Sequence, residues 1–323
     1  MITQPGLPQT MPLLVQRIER IALDIWQIEF ANANGDALPA FTAGSHVFVY
    51  TPGGMLRQYS LCNSPSETWR YVIAVKRDRS GRGGSIDLVD NIKVGDVLQV
   101  SLPRNEFEFV EGAPRYLFIA GGIGITPIRA MITQLQAISD APFKLYYCTR
   151  NAESTAFLEE LGAPEFNGKV VIHHDNGDPA HALDFWDVLE EQDHAHLYCC
   201  GPRPLMEAVR ATSGHWPSAS VHFEDFGGAV REKSSDDKTF TVRLMRSDRV
   251  VEVPAGITIL EALRTDGINV LSSCESGTCG SCKTSLLGGD ADHRDFVLAE
   301  DEKQDNIMVC VSRAKSSELL LDL

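Results

Sequence analysis

Short runs of alternating hydrophobic and polar residues occupy the first hundred positions: 21–30, 46–50, 71–76 and 97–100 each read as half-buried strands. Gly-Asp, Pro-Gly-Gly and Gly-Arg-Gly-Gly breaks separate them, and such even spacing predicts a small antiparallel barrel over residues 10–104. The rhythm changes at Arg115. Apolar runs at 116–120, 143–149, 169–173 and 196–200 now alternate with helical patterns at 128–138, 185–191 and 204–211. Strand–helix alternation of this kind predicts a parallel sheet with helices on both faces. Residues 227–238 are polar and aperiodic and read as a linker. After them come a hairpin pair at 239–246 and 250–254, a helix at 258–266, a cysteine-rich loop, and a last strand at 307–312. The domains expected are therefore 1–104, 112–226 and 239–323, with 227–238 as the tether.

Composition narrows the class. At 323 residues, with 43% hydrophobic and 23% charged positions, the chain suits two or three soluble domains. A net charge of −15 argues against nucleic acid as a partner and suits docking onto a basic protein surface. The longest uncharged run, 37–56, contains Pro39, Gly44, His46, Pro52, Gly53 and Gly54, which no membrane helix would tolerate together. The opening Met1-Ile2-Thr3-Gln4-Pro5-Gly6 has neither a basic nor an apolar export segment, so a cytoplasmic location is expected.

Four of the eight cysteines fall into one pattern: Cys274-x4-Cys279-x2-Cys282, with Cys310 far downstream. Three thiolates from one tight loop and a fourth from elsewhere is the spacing of a plant-type [2Fe–2S] centre. Gly277 and Gly280 would let backbone N–H groups turn toward the sulfurs. Structural zinc is the alternative, though its ligands usually come as two knuckle pairs. Cys62, Cys148, Cys199 and Cys200 lie in apolar strand-like runs and read as reduced thiols.

Two glycine turns end strands of the second region. Gly121-Gly122-x-Gly124-x-Thr126-Pro127 would bring a pyrophosphate close to backbone amides, with Thr126 as N-cap and Pro127 at the first helical position. Taken alone, such a loop is also consistent with a plain strand-to-helix turn. Gly201-Pro202 closes a second strand of the same sheet, and two such loops on one edge favour a dinucleotide. In the first region, Arg57-Gln58-Tyr59-Ser60 ends a strand, and Gly81, Gly83, Gly84 and Ser85 precede a helix. Arg57 and the Gly83–Ser85 amides could grip one phosphate while Tyr59 stacks on a ring system. An ordinary exposed strand end would look the same.

Together these motifs resemble the ferredoxin–NADP⁺ reductase superfamily and, within it, the phthalate dioxygenase reductase family. Cys148-Thr149-Arg150, Cys200-Gly201-Pro202 and Glu224-Asp225-Phe226 add to the match, which covers nearly the whole chain. The resemblance implies a six-stranded antiparallel flavin barrel, a Rossmann-like α/β nucleotide domain and a β-grasp ferredoxin domain. It implies FMN, held by the short loop at Gly81–Ser85, and NADH, because Asp175 would repel a 2′-phosphate. Thr149 and Arg150 would line the nucleotide, with Cys200 and Phe226 near the nicotinamide and Ser60 near flavin N5. Hydride would pass from NADH to the flavin, and single electrons through the cluster to a terminal Rieske oxygenase that binds a monomeric reductase transiently. Plant-type clusters lie near about −400 mV and Rieske centres at about −150 to +300 mV, so that transfer is downhill. A stand-alone reductase of quinones or ferric chelates is the second reading, and a zinc-holding, non-enzymatic nucleotide module the third. No metal is assigned to His173, His174, His181, His194 or His196, and Trp26, Trp69, Trp186 and Trp216 read as packing. The acidic stretch from Asp290 to Asp305, which includes Asp292, Asp295 and Glu300–Glu302, reads as a solvated face or a docking surface for a basic partner.

Overall fold

The computed structural model describes residues 8–79, 81, 83–226, 237–272, 277, 280, 282–295 and 297–323. The chain divides into two compact units, 1–224 and 225–323. In the first unit, β1 (Thr10–Ala22), β2 (Ile25–Ala31), β3 (Ser45–Tyr50), β4 (Leu56–Ser60), β5 (Tyr71–Lys76) and β6 (Val97–Ser101) form an antiparallel sheet in the order β4-β3-β6-β1-β2-β5. A bridge between Leu61 and Ile73 joins the two ends of that path and closes it into a six-stranded barrel. The short β7 (Arg104–Asn105) pairs onto β3. Inward positions such as Val15, Ile28, Val47, Val49, Ile73 and Val100 are fully buried, as strict alternation requires. The sequence run 21–30 spans a hairpin rather than one strand, with Asp24 in the left-handed region at φ 55. Alternation continues on both sides of so short a turn, so periodicity alone could not reveal it.

The second sheet of this unit is wholly parallel: β8 (Arg115–Gly121), β9 (Phe143–Thr149), β10 (Val170–His174), β11 (Ala195–Cys200) and β12 (Val221–Glu224), ordered β10-β9-β8-β11-β12. Helix α1 (Gly84–Asp90) belongs to the barrel, and α2 (Ile125–Ile138), α3 (Leu158–Leu161), α4 (Trp186–Leu189) and α5 (Arg203–Thr212) to the sheet. The helix expected over 185–191 is thus one turn. Strand order reverses between β8 and β11, the place where open α/β sheets leave a ligand crevice.

One continuous core joins barrel and sheet, with Ile25, Ala43, Cys62 and Val72 packed in the same cluster as Phe118, Ile128, Leu135 and Tyr147. Arg129 on α2 reinforces it. Its guanidinium donates to the Cys62 carbonyl just past β4, pairs with Glu160 at 2.8 Å, and covers the Phe157 ring at 4.7 Å. Nearby, the Gln134 side chain accepts from Ala43 N at 3.0 Å, and Leu23 N donates to Glu153 O at 2.6 Å.

The second unit contains β13 (Phe240–Leu244), β14 (Arg249–Val253), α6 (Ile259–Thr265), β15 (Lys283–Gly288), β16 (Ala291–Asp292), β17 (Asn306–Met308), β18 (Arg313–Ala314) and β19 (Glu318–Leu321). Its main sheet runs β14-β13-β19-β15-β17, with β13 and β19 parallel and the other neighbours antiparallel. A capping box between Thr258 and Glu261 starts α6, which buries Ile259, Leu260 and Leu263 against Val242, Leu319 and Leu321. A helix gripped by a mixed sheet is the β-grasp arrangement expected. The strand expected over 307–312 stops at Met308, because Val311 N and Ser312 N fold back onto the Met308 carbonyl in a turn. Arg313, 2% exposed, donates to the carbonyls of Ile257, Lys238 and Pro254 and lies 3.5 Å from the buried Asp237 carboxylate. A buried charge survives only with such partners, so Asp237 and Lys238, read as linker, are already held to the sheet. Among the described residues no helix is long and apolar enough to cross a membrane.

Arg129→Met should lower the stability of the folded chain by about 1–3 kcal/mol through loss of charged hydrogen bonds. Glu160→Gln, which removes only a half-exposed partner, should cost about 1 kcal/mol or less. Urea unfolding of both variants reads the difference.

Candidate redox sites

The chemistry-bearing residues of the first unit sit on two strand ends of the barrel and four of the parallel sheet. In β4, register places Arg57 opposite Val49, Gln58 opposite Phe48, Tyr59 opposite Val47 and Ser60 opposite His46. A Cβ added to Gly84 would lie 2.2 Å from Arg57 Nε and 2.8 Å from its Cζ. The guanidinium therefore lies directly on the first residue of α1. Gly83 precedes it at φ 81, a conformation glycine adopts at little cost. Ser85 Oγ accepts from Asp78 N at 3.1 Å and closes the loop, and Asp87 accepts from Gly53 N at 2.7 Å and anchors it to the β3–β4 turn. Gly81 packs near the Asp78 carboxylate, and Arg82 lies outside the described residues.

Two hydroxyls at the end of β4 are conspicuous. Tyr59 Oη and Ser60 Oγ are both buried, and among the described residues neither has a hydrogen-bond partner. Burial pushes the Tyr59 phenol up, partly offset by Arg57, so it is a neutral O–H. Buried polar groups normally find partners. A ring rich in nitrogen and carbonyl oxygen would supply them, so the residues present fit a flavin with its phosphate at Arg57.

At the sheet, β8 and β11 end side by side in the two glycine loops. A Cβ at Gly121 would meet Pro202 Cδ at 2.5 Å, one at Gly201 would meet the Gly121 backbone at 2.9 Å, and one at Gly124 would meet the Cys200 carbonyl at 2.2 Å. These glycines are therefore required by the loops' contact with each other. Gly122, at φ 53 with open space beside it, is the one whose freedom faces outward. Its carbonyl accepts from the buried Tyr147 hydroxyl at 3.1 Å, a support that nothing in the sequence pattern marked.

The expected Thr126 cap is corrected. The chain leaves β8 through a 3-10 turn at Gly122–Gly124, so α2 starts at Ile125 with Gly124 as N-cap. Thr126 Oγ1 donates instead to the Ile123 carbonyl, and Pro127 sits third in the helix, where its missing N–H leaves no bond unmade.

The ends of β9 and β10 bring Thr149, Arg150 and Asp175 together. Thr149 Oγ1 is buried and bonds Thr155 Oγ1 at 2.7 Å and His174 Nδ1 at 2.9 Å. Asp175 N donates to the Thr149 carbonyl, and its carboxylate accepts from Gly177 N at 2.8 Å. Cys200 is fully buried, and Pro202 is the N-cap of α5. Phe226 falls in the second unit and is exposed.

In the second unit Cys282 and Cys310 are buried, at 2% and 1% exposure. Lys283 pairs with Met308 in the β15–β17 ladder, which brings Cys282 beside the turn holding Cys310. Cys274 and Cys279 lie outside the described residues. Gly277 and Gly280 have φ 79 and 80. A Cβ at Gly277 would come 2.7 Å from Val311 Cγ2 and 3.1 Å from Asp295 Cα, so that position must be glycine. A loop thiolate and a strand-end thiolate, both shielded from water, suit a [2Fe–2S] cluster by their donor chemistry. The acidic stretch is not uniformly solvated: Glu300 is exposed, but the Asp295 side chain is 0% exposed.

Comparison with known proteins places residues 118–211 in the oxidoreductase NAD-binding domain family and 242–315 in the 2Fe-2S iron-sulfur cluster binding domain family. The chain is 55% identical over 304 residues to the phthalate 4,5-dioxygenase oxygenase reductase subunit of Pseudomonas putida, covering 94% of each. It is 53% identical over 323 residues to phthalate dioxygenase reductase of Burkholderia cepacia, covering 100% of each. A solved phthalate dioxygenase reductase, described as a modular structure for electron transfer from pyridine nucleotides to [2Fe-2S], superposes with TM-score 0.76, covering 97% of this chain and 98% of that one.

His196, one of the histidines set aside from metal binding, shares through Nδ1 a hydrogen bond of 3.1 Å with Nε2 of His222, whose ring stacks on Tyr198. Burial, with His196 adding to it, pushes the His222 imidazole down from 6.5 to about 4. The folded state thus takes up its proton later than the unfolded chain. This stability contribution is present above pH 6.5 and is lost as pH falls toward about 4. His222→Phe should keep the stack and flatten the drop in unfolding midpoint across that window, as followed by circular dichroism.

Proposed function

The chain belongs to the phthalate dioxygenase reductase family, and on that premise we propose how its residues carry an NADH-dependent reductase that feeds an oxygenase. When bound, FMN accepts a hydride and releases electrons one at a time, and a [2Fe–2S] cluster carries them singly. The chain supplies position and electrostatics. Arg57 and the amides at Gly83, Gly84 and Ser85 grip the flavin phosphate, since a fork of donors beside free amides matches a dianion. Tyr59 and Ser60 orient the ring through the hydroxyls that otherwise lack partners, and Gln58 flanks them. Gly122 and the start of α2 receive the NADH pyrophosphate, with Gly201 and Pro202 closing the same crevice. Thr149 and Arg150 line the far side, and the Asp175 carboxylate disfavours a 2′-phosphate, which selects NADH over NADPH. Cys200, buried at the end of β11, would back the nicotinamide site. Cys274, Cys279, Cys282 and Cys310 hold the cluster. The single observation that supports this reading is the contact of Arg57 with Gly84, which sets two motifs distant in sequence side by side.

The finer reading is a cytoplasmic, monomeric protein built of a flavin domain (1–104), a nucleotide domain (112–226), a tether and a ferredoxin domain (239–323). Its partner is a Rieske-type oxygenase, engaged transiently.

The purified chain should show flavin bands with red-brown iron–sulfur absorption that NADH bleaches, and should sustain turnover of a phthalate-type oxygenase. A colourless protein would sink the reading. Bleaching without oxygenase turnover, but with rapid quinone reduction, would favour a stand-alone reductase. Gly84→Ala should force Arg57 aside and weaken FMN retention by about ten-fold or more, a bidentate charged contact being worth about 1.5–3 kcal/mol. Flavin released on gel filtration measures it, with iron content unchanged.

A further inference from the structure

We propose that the buried carboxylate of Asp295 sets the reduction potential of the cluster held by the cysteine loop, lowering it by its negative charge. The proposal rests on the reading that Cys274, Cys279, Cys282 and Cys310 bind [2Fe–2S].

Three contacts locate Asp295. Its Cα lies 3.1 Å, and its Cβ 3.3 Å, from where a Cβ of Gly277 would stand, and Gly277 is midway along the ligand loop between Cys274 and Cys279. Val311, next to Cys310, fills the other side of the same glycine at 2.7 Å. The segment leading to Asp295 runs beside the strand after Cys310: Asp292 pairs with Arg313, and Arg294 N donates to Ser312 Oγ at 3.3 Å. Asp295 is thus wedged where the loop and the fourth ligand's segment meet.

The state of its carboxylate is unusual. The side chain is 0% exposed. One oxygen, Oδ2, accepts from Val297 N at 3.2 Å and Leu298 N at 2.8 Å and holds the turn after it. The other, Oδ1, is buried and among the described residues has no hydrogen-bond donor; His293 Nδ1, 3.7 Å away, likewise has no hydrogen-bond partner among them. Capping a turn needs only one acceptor oxygen, which an amide or a hydroxyl also supplies. A second, undonated oxygen adds nothing to packing and carries a desolvation cost. What it adds is charge. In a shielded environment a negative charge acts over several ångströms with little screening. Reduction adds an electron to a site already ringed by thiolates, so a fixed anion beside it makes reduction less favourable, and net charge is a recognised determinant of cluster potential. A lower potential keeps the cluster a stronger donor toward its acceptor.

The test is an EPR-monitored redox titration of the full-length holoprotein. Asp295→Asn keeps the acceptor for Val297 and Leu298 and removes the charge. The cluster midpoint should move upward, with iron and labile sulfide per chain unchanged. Asp295→Ser, which can cap the turn with its hydroxyl, should move it the same way. Asp290→Asn, an exposed carboxylate of the same unit, should leave it in place. An unchanged midpoint in both Asp295 variants at full iron content overturns the proposal, and so does loss of iron from both, which would assign Asp295 a purely structural part. Wild-type protein without iron would instead overturn the cluster reading itself.

Discussion

Everything in the first unit depends on holding two strand ends still with respect to each other, and the Arg129 guanidinium is the interaction that does so most directly. It reaches from the helix of the first glycine loop to the Cys62 carbonyl, two residues beyond Ser60, and is braced by Glu160 and Phe157. Hydride transfer between bound cofactors falls off steeply with small displacements, so a rigid joint between the barrel's strand end and the nucleotide helix is a functional need. An apolar core alone would tolerate sliding. A planar fork of donors with one fixed acceptor does not.

The second unit shows a parallel economy with buried charge. Arg313 is held by carbonyls and Asp237, and Asp295 by two backbone amides. Both sit within a few residues of Cys310 or of the loop that faces it, on segments that pair as β16 and β18. Around Cys282 and Cys310 these polar contacts add to a hydrophobic cluster that includes Leu298, Met308 and Val309.

Legibility in the sequence followed the range of the interaction. The cysteine spacing is readable because three cysteines lie within nine residues, and the parallel strands because continuous apolar runs need no partner to be recognised. The hairpin turn at Asp24 is invisible to periodicity, and the start of α2 departs from the sequence expectation because a 3-10 turn inserts before Thr126. Arg129, Tyr147 and Asp295 left no local trace, since each acts on a group far along the chain. Asp295 in particular looked like one more acid in an acidic stretch, and only folding separates a solvated carboxylate from a buried one.

The interlock of Gly121, Gly124 and Gly201 has a consequence for how such a protein can diverge. Because each glycine is demanded by the neighbouring loop's backbone, the two loops form a single rigid clasp that mutation cannot adjust piecemeal. Variation is thereby displaced to the rim, at strand-end positions such as Arg150 that the clasp does not constrain. The clasp acts as an evolutionary anchor: it keeps two strand ends in one place while the rim around them drifts.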